Sequence, residues 1–142
     1  MSTLLSDAAR RPDLFLWNGP IPGPELASWL NDRCWTLPPD LVSFLSETGG
    51  GNVFESEWIL GPYGDSSLGT DLESVNQFHW SRGLGDACLV FNTGGFFSVI
   101  DQPRGDYVVV SEKDYRTDSR YPTLEAWYLG TARKEFGRKY GL

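Results

Sequence analysis

A short helix that begins at prolines and ends at glycines is the most constraining feature of this chain. Residues 37–51 read LPPDLVSFLSETGGG. Proline suits a helix start, where its missing N–H is not needed, and glycine readily adopts the left-handed conformation that ends a helix. We therefore predict a helix over residues 38–48, with Leu41, Phe44, Leu45 and Thr48 on its buried face. A strand over residues 53–60 is predicted to follow directly.

Similar patterns predict the other elements. Helices are expected over residues 24–34, 71–78 and 122–138, a helical turn over residues 6–11, and a loop over residues 61–69. Strands at hairpin spacing are expected over residues 87–92, 96–101 and 107–111. This order predicts an α+β fold with a central, mostly antiparallel β-sheet and flanking helices. With 142 residues, the chain is predicted to form one domain: an ordered N-terminal arm over residues 1–23, and a core over residues 24–142.

The charge of the chain is acidic and uneven. Residues 1–110 carry 14 acidic residues against 5 Lys and Arg, whereas residues 111–142 carry 5 against 7. The formal net charge of −7 disfavours binding to nucleic acid or to anionic membranes, because like charges repel, and favours a basic partner. Simple solubility explains the same charge equally well.

Two cysteines, Cys34 and Cys88, are too few for a disulfide framework and favour a reducing compartment. We see no apolar segment of the kind found in signal peptides, and none near the ~18–20 residues that a membrane span needs. The expected location is therefore the cytoplasm.

Motifs for catalysis or cofactors are weak. The glycines at 49–51 close a helix, whereas a phosphate-binding loop follows a strand and opens one. His79 is the only histidine and is expected to be a partly buried or loop residue, since no His/Cys cluster accompanies it. We therefore expect no cofactor, no metal and no enzymatic activity.

Acidic residues gather between positions 55 and 73. Glu55 and Glu57 are predicted to project from one strand face, about 6.5–7 Å apart. Paired carboxylates serve glycosidases, but a protein-binding face, or a merely solvated one, fits a chain of this size better. Nearby aromatics, among them Phe54, Tyr63 and Phe78, are candidate anchors. The predicted contact residues are Glu55, Glu57, Trp58, Asp65, Asp71, Glu73 and Trp80.

Several motifs occur in an order that resembles the SUKH superfamily, named partly after fungal regulators of cell-wall synthesis. They are the Leu-Pro-Pro-Asp segment at 37–40 with Phe44-Leu45, the glycines at 49–51, Gly85-Asp86 before an apolar strand, a strand over residues 97–101, and a late helix beginning Tyr-Pro-Thr-Leu-Glu at 121–125. The resemblance covers residues 24–130. It implies an α+β fold and a non-enzymatic role. Bacterial members are commonly immunity proteins that neutralise a polymorphic toxin, often a nuclease or a deaminase.

The resemblance therefore implies an immunity-type protein whose acidic surface meets a basic toxin domain. A regulatory or scaffold module without a toxin partner is the alternative. A small hydrolase that uses carboxylates is the remote alternative. The aromatic arm over residues 15–24 departs from the family pattern and leaves the partner undefined.

Overall fold

Seven strands follow one another in the same order along the chain and across the sheet. A computed structural model describes residues 2–142; Met1, the first residue of the predicted arm, lies outside the described residues. The strands are β1 (Phe15–Trp17), β2 (Gly51–Val53), β3 (Glu57–Ile59), β4 (Cys88–Thr93), β5 (Ser98–Asp101), β6 (Asp106–Val110) and β7 (Thr117–Tyr121). Every neighbouring pair is antiparallel, which confirms the predicted α+β class and its antiparallel sheet.

Helices precede, interrupt and follow the strands. They are α1 (Thr3–Arg10), α2 (Gly23–Asp32), α3 (Pro39–Thr48), α4 (Leu72–Ser81), α5 (Leu124–Gly130) and α6 (Ala132–Phe136), with one 3₁₀ turn at Ser66–Leu68. The predicted stripe of α3 is buried as expected. Leu89, Val90 and Phe91 of β4 are fully buried, as expected for a central strand with apolar side chains on both faces.

Three glycines after α3 lie very close to the backbone of neighbouring segments. Gly49, Gly50 and Gly51, here called the glycine corner, all have positive φ. A Cβ at Gly49 would overlap the carbonyl of Gly19, and one at Gly51 would overlap that of Leu16. Only glycine satisfies both the backbone angle and the approach of the preceding arm. The glycine corner thus brings β1 and β2 together.

The predicted strand over residues 53–60 is wrong, because these residues form a hairpin. Val53 ends β2, Glu57 begins β3, and the chain reverses through Phe54 and Glu55 in left-handed conformations, with φ of 56° and 62°. Such angles are costly for a bulky residue. Phe54 offsets this cost by burial, since its ring packs against Phe15 and stacks on Tyr140.

Three further segments differ from the predictions. The segment predicted as an N-terminal arm contributes α1, longer than the predicted helical turn over residues 6–11, and the edge strand β1. β7 was not predicted, because its sequence TDSRY lacks an apolar face. The last helix is broken at Thr131, whose ψ of −100° leaves the helical region and separates α5 from α6. Gly130 before the break packs against the ring of Tyr121, where a Cβ would not fit.

Helix α4 replaces a strand beside β4. β3 pairs with β4 only at Trp58↔Thr93 and Ile59↔Asn92. Further along β4, the Val90 amide donates to Asn76 Oδ1 at 2.6 Å, and Asn76 Nδ2 donates to the Val90 carbonyl at 3.0 Å. Asn76 is fully buried, so its amide satisfies both backbone groups that a neighbouring strand would otherwise pair.

We expect Asn76→Ala to lower the free energy of unfolding by about 2–4 kcal/mol, because it leaves the buried N–H and C=O of Val90 without partners. Urea denaturation followed by tryptophan fluorescence measures this loss. Asn31→Ala, at an exposed position of α2, is the matched control and is expected to change the value by less than about 0.5 kcal/mol. Equal effects of the two substitutions would contradict the role given to Asn76.

Candidate protein-binding site beside helix α4

The seven predicted contact residues do not form one acidic face. Glu55 and Asp65 are exposed, Trp58 and Trp80 are half-buried, and Glu57 and Asp71 are buried. Glu73 is partly exposed and forms a salt bridge with Arg33, whose guanidinium lies 3.8 Å from the centre of the Trp29 ring. The hairpin explains why Glu55 and Glu57 are separated, because the turn exposes Glu55 to solvent and buries Glu57 in the protein.

Glu57 supports the turn between β4 and β5. Its carboxylate accepts the backbone N–H groups of Gly95 at 2.7 Å and Phe96 at 2.8 Å, and the hydroxyl of Ser56 at 2.6 Å. With 1% of its surface exposed, it does not reach a partner in this conformation. Its predicted role as a contact residue is therefore replaced by a structural one.

Asp71 is likewise a structural residue. It caps α4 by accepting the Ser74 amide at 2.9 Å and also the Ser74 hydroxyl. A cap of this kind satisfies one of the unpaired N–H groups in the first turn of a helix. Its exposure of 8% leaves little surface for a partner.

The two predicted tryptophans belong to different elements, Trp80 to α4 and Trp58 to β3. Trp80 donates from Nε1 to the Cys88 carbonyl at 2.9 Å and packs edge-on against Trp35. Trp58 lies directly across the strand pair from Thr93. Thr93 lines a cavity, whereas neither tryptophan is among the residues that line it.

This cavity, of about 430 Å³, opens between α4, the 3₁₀ turn, the end of β4 and the loop between β6 and β7. We call it the α4 cavity. Its hydroxyl groups come from Ser66, Ser74 and Thr93, and its apolar wall from Val75 and Phe78. A volume of this size, with a few polar groups on an apolar wall, is typical of a binding site.

The ionisable groups of the α4 cavity are His79 and Glu112. His79 is 5% exposed, and its Nδ1 lies 2.8 Å from the hydroxyl of Tyr115. Its Nε2 has no hydrogen-bond partner among residues 2–142 and is not sealed from solvent. Burial lowers the pKa of His79, Glu112 opposes this shift, and Arg82 adds to it.

Exposed apolar side chains surround the mouth of the α4 cavity. Phe78 is 52% exposed, and Leu68 is 69% exposed between two cavity-lining residues, Ser66 and Gly69. Glu112 is exposed and forms no salt bridge within the described part of the chain. Of the aromatic anchors considered from sequence, Phe78 and Tyr63 are exposed, whereas Phe54 is buried.

A second cavity of about 310 Å³ shares Glu112 with the first. It lies between the β4–β5 turn and the start of the β6–β7 loop, and it adds Asp118 to the lining. Neither cavity has a lysine or arginine among the lining residues that the structure describes. The two cavities together are lined by carboxylates and apolar side chains.

Two features of residues 2–142 concern metals and membranes. No group of three or more His, Cys, Asp and Glu side chains there is arranged to hold a metal ion. Among the same residues, no helix combines the length and the apolar character that crossing a bilayer requires. Cys34 is exposed and Cys88 is half-buried, and both are free thiols.

Comparison with known proteins gave no relative: the chain matches no model of a protein family, and no curated protein is significantly similar to it.

We expect Glu57→Gln to lower the free energy of unfolding by about 1–3 kcal/mol, because an amide replaces one acceptor oxygen with a donor that faces a backbone N–H group, of Gly95 or of Phe96. Glu55→Gln, two residues away and exposed, removes the same charge and is expected to change stability by less than about 0.5 kcal/mol. Urea denaturation of both variants provides the comparison. Similar stability of the two would contradict the structural role of Glu57.

The lowered pKa of His79 predicts a pH-dependent stability. The unfolded chain takes up the histidine proton at about pH 6.5, whereas the folded protein does so only at lower pH. The unfolded state therefore binds more protons within this window, so stability falls as the pH drops from about 6.5 to the folded pKa, and this contribution then levels off. His79→Gln is expected to remove this part of the pH dependence in urea denaturation. An imidazole Hε1 resonance that titrates at or above pH 6.5 would contradict the prediction.

Proposed function

We propose that this chain is a non-enzymatic, SUKH-like immunity protein that acts in the cytoplasm, where it binds and neutralises a cognate polymorphic toxin domain, such as a nuclease or deaminase. The surface that we assign to binding is the mouth of the α4 cavity. One observation carries the binding part of this proposal: Leu68 and Phe78 are large apolar side chains that remain exposed beside an unpaired carboxylate, Glu112. Exposed apolar groups with a polar rim are typical of protein interfaces.

The positions of the SUKH-like motifs support the family part of the proposal. Asp40, from the Leu-Pro-Pro-Asp segment, accepts the amide of Leu124 at 2.8 Å and the hydroxyl of Tyr107. The next residue, Glu125, accepts the Thr3 amide. The two motifs that are farthest apart in sequence are thus joined by hydrogen bonds. This gives both motifs a structural reason to occur together in one domain.

Charge supports a basic partner. With a net charge of −7, the protein attracts a cationic domain over long distances, which speeds encounter, while buried aromatic contacts slow dissociation. Neutralisation then requires only that the bound protein covers the substrate surface of the toxin. No catalytic group of the immunity protein is needed for that mechanism.

A tagged form of the protein is expected to capture one large polymorphic protein from its native cell lysate, through the C-terminal domain of that protein. Leu68→Ser/Phe78→Ser is expected to reduce capture at least about tenfold, because hot-spot residues of this kind contribute about 2 kcal/mol or more. Leu16→Ser is the matched control, since Leu16 is 59% exposed on the edge strand β1. Mass spectrometry of the captured proteins identifies the partner. Comparison of capture at low and at high salt measures the electrostatic contribution to binding.

Co-expression separates this proposal from the alternatives. An immunity protein rescues cells from the captured toxin domain and from no unrelated toxin. A captured signalling protein with no rescue would favour the scaffold alternative. Equal capture by the double variant and by Leu16→Ser would remove the mouth of the α4 cavity from the interface, provided that circular dichroism shows both variants to be folded.

A further inference from the structure

We propose that the α4 cavity receives an arginine side chain of the partner protein. The involvement of a protein rests on the proposed function; the preference for a guanidinium rests on the cavity itself. The groups that would recognise it belong to Glu112, His79 and Phe78, three residues that line the same space.

His79 offers a free ring nitrogen at the α4 cavity. Its side chain is 5% exposed, Nδ1 is held by Tyr115, and Nε2 has no hydrogen-bond partner within residues 2–142 and is open to solvent. When Nδ1–H donates to the Tyr115 hydroxyl, Nε2 carries the lone pair and accepts a hydrogen bond. A guanidinium carries only donors, and it therefore complements a neutral histidine in this tautomer.

The charges around the α4 cavity favour a cation. Glu112 carries the only carboxylate among its lining residues, and Asp118 adds a second in the adjoining cavity. Arg82 is the nearby cation, but it is not among the lining residues and lies 5.4 Å from the centre of the Phe78 ring. An anionic ligand would meet carboxylates without a lining lysine or arginine to balance them.

The shape of the lining favours arginine over lysine. A planar guanidinium can stack on the Phe78 ring. Its N–H groups, which lie in the plane of the guanidinium, can still donate to a carboxylate and to an imidazole nitrogen. The ammonium of lysine is a compact point charge that cannot make these contacts at once. Ser66 and Thr93 add hydroxyl oxygens that accept the remaining N–H groups.

Nα-acetyl-L-arginine amide is the probe, and His79 is the reporter, because the only histidine gives a single imidazole Hε1 resonance. Titration of the whole protein at pH 7.5 is expected to give a saturable shift of this resonance, with a Kd on the order of 1 mM for so small a ligand. Nα-acetyl-L-citrulline amide has nearly the same shape without the charge and is expected to leave the resonance in place. Nα-acetyl-L-lysine amide is expected to bind at least about fivefold more weakly.

Two variants and one control test the residues. Glu112→Gln is expected to weaken binding of the arginine probe at least about tenfold, because it removes a charge-assisted hydrogen bond. Phe78→Ala is expected to weaken it about threefold through loss of the cation–π contact. Glu135→Gln removes one exposed carboxylate from α6 and changes the net charge equally, so it is the matched control and is expected to bind as the unsubstituted protein does.

Three outcomes would overturn the inference: no shift at about 50 mM probe, far above the expected Kd; equal shifts with the arginine and citrulline probes; or equal effects of Glu112→Gln and Glu135→Gln. Equal binding of the lysine probe would replace arginine recognition by a general cation site. If the partner is captured but the arginine probe does not bind, this inference fails and the proposed function stands. If the probe binds but no toxin is captured, the proposed function fails instead.

Discussion

The close backbone approach at the glycine corner is the constraint on which the rest of the structure depends. Gly49 ends α3, Gly51 begins β2, and the missing side chains admit the carbonyls of Gly19 and Leu16. Gly50 also lies close to the carbonyl of Ile59 on β3, where a Cβ would not fit. The first three strands are therefore brought into register at one point by residues that contribute no side chain. A side chain at Gly49 or Gly51 would overlap the backbone of the arm, and one at Gly50 would overlap that of β3.

The charged groups that are most deeply placed serve the fold. Asp7 is 2% exposed and accepts the hydroxyl of Tyr128 and the guanidinium of Arg133, which joins α1 to α5 and α6. Glu57 holds the β4–β5 turn in the same manner. A buried carboxylate is stable only when such donors surround it. The sequence alone therefore does not distinguish structural acidic residues from exposed ones. The path of the backbone is needed for that distinction.

Local patterns predicted the elements in which local preferences and tertiary packing agree. Helix α3 has its own proline start, apolar stripe and glycine end, and strands β4 to β6 alternate with clear turns. The β2–β3 hairpin could not be predicted, because Phe54 adopts a left-handed conformation only through burial against residues distant in sequence. The candidate site was predicted in part: Phe78 was recognised as an aromatic anchor, whereas Glu112 joins it only through the path of the β6–β7 loop.

Helix α4 connects the stability of the fold with the geometry of the α4 cavity. Its buried side chains include Asn76, which is bonded to the backbone of β4, and His79, which contacts Phe97 of the adjoining strand segment. Phe78, one position before His79, faces outward because successive helical residues are about 100° apart. The bonds of Asn76 thus fix the position of the helix, and the helix in turn fixes the aromatic ring and the imidazole at the α4 cavity. A rigid element that positions a few polar and apolar groups at a cavity loses little conformational entropy when a partner side chain binds.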